Sequence, residues 1–532
     1  MTHHETAWPG AIVLCLVAAL GCQDTTGTTE PPAQRTEAGV QATIPEDLDL
    51  VILNGRVMDP ESQLDALRNV GIKGGKIVAI TEQAINGTET IDAKSHVVAP
   101  GFIDYHMHGQ DPFSVKIALR DGVTSQIDLE LGAWPVDEYY DKRKGKWQAN
   151  YGVSVAHVST RIMVMDGINS HGHALVTGAI DSAGRKHEWS TDRSTPEQLK
   201  KITQLVDEGL QQGGIGIGFP VGYYPGVAST EVMEVAKLAA KYGSLPITTH
   251  VRYLSQVEPS GYLGLLEFLG ISETLQVPLL VHHISSNLMG LTPEGLALID
   301  DARKSGHNVV AEAYPYMKGS SIIGAAYLGP GFQERTGMTY SDITWVETMK
   351  PETKSSFEQH RKSDPGGLMI MHHIKKPDML AAITHPGLFI GSDAMPYIDP
   401  KGKLLDWDAP FENANGHPRA AGSHAKMLRT SREQKTMPLM EAVSKMTYLP
   451  AKFLEGTVPA IKERGRIRVG AVADITVFDP TTVSDKSTYQ PGESALPSVG
   501  IPYVIVNGTI VVKDSKVLQG VHPGEAIRRP VN

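Results

Sequence analysis

Asp104-Tyr105-His106-Met107-His108 places two imidazoles two residues apart, at the end of an apolar run that passes through Pro100-Gly101. Alternate side chains of an extended chain share one side, so His106 and His108 can converge on a single metal ion. Asp104 shares that side and can orient them from behind. Further along, Gln126-Ile127-Asp128-Leu129-Glu130-Leu131 alternates polar and apolar residues. A buried parallel strand should be apolar on both faces, so this polar stripe needs a reason. Glu130 is a candidate carboxylate ligand able to bridge two metals, with Asp128 as the alternative; a structural ion pair weighs nearly as much. Thr248-Thr249-His250-Val251-Arg252 and Val281-His282-His283-Ile284-Ser285-Ser286 each end an apolar run in imidazole, the arrangement a second metal position needs. His283 is taken as the ligand and His282 as its packed neighbour. Gly391-Ser392-Asp393-Ala394 ends another run in a carboxylate, which can take a proton from water at a metal.

Residues this far apart in the chain need a scaffold that gathers strand ends. Between 99 and 460, apolar runs alternate with helical stretches. The runs are Val97–Tyr105, Gly122–Gly132, Gly152–Thr160, Gly214–Phe219, Leu245–Val251, Val277–Ser286, His307–Tyr316 and Gly387–Asp393. Eight strands alternating with helices predict a (β/α)8 TIM barrel, an α/β fold whose reactive groups sit at the C-terminal strand ends. Thr195-Pro196-Glu197, Ser229-Thr230-Glu231 and Thr292-Pro293-Glu294 each put a hydroxyl where it can cap a helix start. The Gly/Ser/Thr-rich stretch 317–367 is expected to hold the seventh helix and an insertion or lid over the barrel mouth.

The two chain ends read as β structure. Asn54-Gly55, Gly74-Gly75 and Asn507-Gly508 are hairpin turns between apolar runs. Residues 47–98 and 461–527 are predicted to form one small discontinuous β-sandwich, since neither half has enough strands to close a core. Residues 1–22 read as an export signal of lipoprotein type. The apolar run Ala11–Leu20 is too short to span a bilayer, and Cys22 stands where a lipidated first residue would. Residues 23–46, rich in Thr, Pro, Glu and Gln, read as a disordered tether.

The chain has 532 residues, 41% of them apolar and 20% charged, which is ample for a large core. Its net charge of −10 argues against a nucleic-acid partner. With both cysteines, Cys15 and Cys22, in the first 22 residues, neither a disulfide framework nor a Cys-ligated zinc fits the body of the protein.

These landmarks resemble the amidohydrolase superfamily, and within it the N-acyl-D-amino-acid deacylase (D-aminoacylase) branch. The resemblance runs from about Leu48 to Ile527. It rests on Pro-Gly-Phe-Ile-Asp-x-His-x-His at 100–108, Gly-Ser-Asp at 391–393, and His417-Pro418-Arg419 followed by Gly422. It continues through Met446-Thr447, Pro450-Ala451, Arg464-Gly465, Ala473-Asp474 and Phe478-Asp479-Pro480. The resemblance implies hydrolysis of an amide C–N bond by metal-activated water, with one or two divalent ions, zinc first among them. It makes Asp393 the general base and acid, and His106, His108, Glu130, His250 and His283 the ligands. A small-molecule amide would be the partner, an N-acyl-(D-)amino acid above all. Its carboxylate would meet Arg419 or Arg252, with Tyr224, Tyr314 or Tyr316 adding hydroxyls. Two features depart from the branch. Its strand-two cysteine ligand is missing, so Glu130 must serve through a bulge or shifted register. The lysine that follows its strand-six histidines is replaced by Ile284.

The alternatives are a cyclic amidase of dihydroorotase or hydantoinase type, which His283-Ile284-Ser285-Ser286 fits equally well, and a non-catalytic barrel that binds. His157, His171, His173, His372, His373 and His385 read as core or surface residues, while His417 and His424 flank Arg419. The address is periplasmic or membrane-anchored, touching a membrane only through a lipid on Cys22. An oligomer is compatible with the sequence.

Overall fold

The computed structural model describes residues 44–173 and 187–531. The export signal, Cys22 and nearly all of the tether lie outside them. No helix among the described residues is long and apolar enough to cross a membrane.

Eight strands form one parallel sheet: Phe102–Asp104, Val123–Ala133, Asn150–Ala156, Ile217–Phe219, Ile247–Thr249, Leu279–Val281, Val309–Ala313 and Phe389–Ile390. Each pairs with its sequence neighbour in parallel register. The eighth closes onto the first just past its end, where Ala394 N–H donates to the His106 carbonyl (3.2 Å) and His108 N–H to that of Ala394 (2.8 Å). Closure therefore happens at the two segments that carry His106, His108 and Asp393.

Several elements differ from the expectation. Val97–Pro100 belongs to the terminal β domain, and only Phe102–Asp104 enters the barrel. The third strand ends at Ala156, and the helix His157–Asp166 begins there, where a strand to Thr160 was expected. The sixth strand is Leu279–Val281, followed by the short helix Ile284–Leu288. Thr195 caps the helix Pro196–Gln211 in a reciprocal box with Gln198. Ser229 and Thr292 are instead the first residues of their helices, with Ala228 and Leu291 at the cap positions. The seventh barrel helix is Lys376–Thr384, beyond the stretch where it was expected. Residues 319–371 form a four-stranded antiparallel sheet with its own apolar core, including Ile323, Phe332, Ile343, Trp345 and Met369.

The chain ends make a single nine-stranded sheet. Its strand Leu48–Asp59 pairs along one edge with Leu64–Lys73, and along the other first with Gly87–Asp92 and then with Val97–Pro100. It encloses Ile52, Val70, Ile72, Val98, Ile475 and Ile505.

Candidate metal centre

The irregularity expected in strand two is present. On that strand the pairing steps from Asp128 to Ala133, while its neighbour advances only from Val153 to Val155. The Asp128 carboxylate holds the bulge by accepting from Leu131 N–H (3.0 Å) and Gly132 N–H (3.3 Å). Glu130, carried on this bulge, turns into the barrel mouth and is buried.

Six side chains from five strand ends meet there. His106 Nε2 lies 3.1 Å from His108 Nε2, 3.4 Å from Glu130 Oε2 and 3.3 Å from Asp393 Oδ1. His108 Nε2 is 3.1 Å from Glu130 Oε2. The second Glu130 oxygen, Oε1, lies 3.2 Å from His250 Nδ1 and 2.9 Å from His283 Nε2. One carboxylate thus faces two groups of imidazoles. His283 (φ 30°) and Asp393 (φ 50°) both hold left-handed backbone conformations, a strain typical of functional positions.

The remaining imidazole nitrogens have anchors. His106 Nδ1 is 2.6 Å from Glu312 Oε1, and His108 Nδ1 is 2.7 Å from Asp128 Oδ2. With Nδ1–H donated to a carboxylate, each Nε2 presents a lone pair. Two such lone pairs 3.1 Å apart beside a carboxylate repel one another unless a proton or a metal ion lies among them. The donor set therefore fits a divalent metal, and carboxylates behind the imidazoles are the usual support of such ligands. His106, His108 and Glu130 form one group of candidate ligands within 4.8 Å of each other; Glu130, His250 and His283 form another.

Electrostatics follow from this packing. Burial would lower His106 and His108, but Asp393, Glu312 and Glu130 around the first, and Asp128 behind the second, push both well above the usual imidazole range. Burial would raise Glu130, but the imidazoles hold it well below the usual carboxylate range. Asp393 also faces burial, and Arg419 and His106 keep it low. It is therefore ionised at neutral pH.

Asp104 does not touch an imidazole. It accepts from the backbone N–H groups of His106 (3.0 Å) and Ser392 (3.2 and 3.1 Å), tying the first strand to the eighth. Asp128 is the orienter of His108 and lies behind it. His282 packs edge-on against His106 (4.4 Å).

Arg419 is fully buried. Its Nη2 pairs with Asp393 Oδ2 (2.8 Å), its Nε donates to the Asp393 carbonyl (2.7 Å), and its Nη1 has no partner. The Tyr314 ring lies beneath the guanidinium (4.5 Å). Arg252 and Tyr224 are corrected. Arg252 makes a bidentate pair with Glu267 (2.6 and 3.1 Å) and donates to the Val227 carbonyl, so its fork is occupied. The Tyr224 hydroxyl meets His157 Nδ1 (3.0 Å) in a buried network with Glu231 and Arg161, away from the cluster. Its neighbour Tyr223 faces the cluster, with its ring 4.8 Å from that of His250. Tyr316 packs under Lys426 (3.6 Å), outside the cluster.

Sequence reasoning missed Glu312. It sits in the seventh strand, and its Oε1 also accepts the backbone N–H of His283 (2.6 Å). An acid in a strand buried on both faces was the available signal, the same that singled out Glu130. Gly391 makes room for it, since a Cβ there would run into Glu312 Oε2.

Residues 405–512 match the amidohydrolase family. The chain is 28% identical over 521 residues to N-acyl-D-glutamate deacylase of Alcaligenes xylosoxydans xylosoxydans, covering 91% of this chain and 97% of that protein. It is 26% identical over 528 residues to D-aminoacylase of the same organism, covering 91% and 98%. Its fold superposes on the crystal structure of N-acyl-D-glutamate deacylase from Bordetella bronchiseptica, complexed with zinc and a phosphonate inhibitor, with a TM-score of 0.71 at 24% identity, covering 91% of this chain and all of that one. With a closed barrel, clustered strand-end candidate ligands and likeness over nine-tenths of its length, the chain resembles the amidohydrolases and, among them, the N-acyl-D-amino-acid deacylases.

Proposed function

We propose that this protein is a metal-dependent hydrolase that removes the acyl group from an N-acyl-(D-)amino acid by cleaving its amide C–N bond. The observation that carries the proposal is Glu130, whose two oxygens face His106 and His108 on one side and His250 and His283 on the other. These five residues would hold one or two divalent ions, with Glu130 in the bridging place. Zinc is the first choice, supported by imidazole and carboxylate ligands and by the zinc in the Bordetella relative.

When bound, the metal supplies Lewis acidity, polarising the scissile carbonyl and acidifying water toward a pKa of about 7. The Asp393 carboxylate accepts the proton of the attacking water through Oδ1, the oxygen beside His106. It returns that proton to the amine nitrogen as the C–N bond breaks. Arg419 fixes the orientation of Asp393 through Oδ2 and keeps it ionised. Glu312 and Asp128 hold the ligand imidazoles in one tautomer. The unpartnered Arg419 Nη1 is the cation offered to a substrate carboxylate.

The reading includes export: the apolar run Ala11–Leu20 and Cys22 support a periplasmic or lipid-anchored enzyme. The test is hydrolysis of a panel of N-acetyl-D-amino acids, their L-counterparts and hydantoins by zinc-loaded protein. Turnover of the D-acyl amino acids supports the proposal, and turnover of hydantoins alone would replace it with the cyclic-amidase reading.

A further inference from the structure

Two cavities share His108, a candidate metal ligand, as a lining residue. The larger, about 520 Å³, carries Lys142 and Arg143 together with Asp111 and Glu347. The smaller, about 300 Å³, is walled by Val158, Ile162, Trp189, Ile322, Ala326 and Met395. Val158 and Ile162 are four residues apart on the helix His157–Asp166 and so share a face. The opposite wall comes from the inserted residues 319–371, and Leu131 of the strand-two bulge adds to the lining. Of the polar residues at this wall, His187 has an unpartnered Nδ1, while three others are turned to protein partners. Ser190 donates to the Tyr223 carbonyl, Ser321 to the Tyr223 hydroxyl, and Arg361 to the carbonyls of Ile323 and Ala325.

A substrate amide has two flanks, and the smaller cavity has the apolar character of an acyl chain. From this we infer that the smaller cavity is an acyl-chain pocket and that the substrates are amides of medium-chain or aryl carboxylic acids, with the amino-acid part outside it. The inference rests on the deacylase reading and adds the acyl class to it. At about 30 Å³ per water-sized group, the pocket has room for about ten carbon-sized groups. An acetyl group would put one methyl into it and leave most of an apolar cavity empty, whereas a chain of about eight carbons would fill it.

The test is a chain-length series, N-acetyl through N-octanoyl on one D-amino acid, with zinc-loaded enzyme. The octanoyl substrate is expected to exceed the acetyl one in kcat/KM by at least about tenfold. In Ala326→Trp, which fills the pocket from the insertion, that ratio should collapse toward unity. Val158→Phe, which narrows it from the helix, serves if the tryptophan variant does not fold. A wild-type ratio within about twofold of unity, or one that both variants leave unchanged, overturns the inference. If no acyl amino acid is turned over, the deacylase reading fails first, and calorimetric titration with octanoate and acetate decides the pocket separately. Octanoate binding at least about tenfold tighter, with the margin lost in Ala326→Trp, sustains it; equal affinities overturn it.

Discussion

Glu312 Oε1 lies 2.6 Å from His106 Nδ1, which fixes the imidazole with its Nε2 toward Glu130 and Asp393. The same oxygen accepts the backbone N–H of His283, so one buried carboxylate sets the first and sixth strand ends together. Glu312→Gln should weaken metal affinity about 10–100-fold, measured by competition with a zinc chelator, with activity recovering at high zinc. Unchanged affinity would show that the contact is structural.

Asp393 is the group assigned to the proton. Asp393→Asn should lower kcat by at least about 100-fold while zinc content stays at the wild-type value. A variant that keeps its rate would remove the residue from the mechanism.

Arg419 grips Asp393 at a carboxylate oxygen and at the main chain. Arg419→Met should lower kcat on every amide and, in addition, raise KM for substrates bearing a carboxylate by about tenfold or more relative to neutral amides. Equal changes in KM for both classes would assign Arg419 to Asp393 alone.

Away from the site, Glu231 is buried against Arg161 (2.6 Å) and His157 (3.1 Å). Burial would raise its carboxyl, yet these partners lower it to about 2. A depressed carboxylate pKa stabilises the fold above the unfolded value of 4.5, and that contribution is lost as the pH falls toward about 2. The shift corresponds to about 3 kcal/mol, an upper figure for a partly solvated group. The urea midpoint should fall between pH 5 and 2, and Glu231→Gln should be destabilised at pH 7 while losing much of this acid dependence. A variant that keeps the wild-type acid slope would assign it to other carboxylates.

What could be read from the chain was the geometry that period-2 alternation controls. His106 and His108 share a side because strand residues alternate, and Glu130 stood out as an acid in a strand that should be apolar. Glu312 obeys the same rule and was passed over, because one acid in Val309–Ala313 makes a weaker stripe than three polar residues in Gln126–Glu130. Tyr224 and Tyr223 could not be told apart because they follow a three-residue strand, after which a short 3₁₀ turn decides which ring faces His250. Arg252 was misread for a tertiary reason: its partner Glu267 comes from the following helix, Gly261–Leu275. The third strand was drawn too long because His157–Thr160 continues its apolar pattern, and only packing shows that the helix starts at His157.

The most direct measurement is an anomalous diffraction map of crystals grown with zinc, collected on both sides of its absorption edge. A peak within coordination distance of His106 Nε2, His108 Nε2 and a Glu130 oxygen is predicted, with any second peak between Glu130, His250 and His283. A map with no peak among these side chains, or with zinc only elsewhere on the chain, would contradict it.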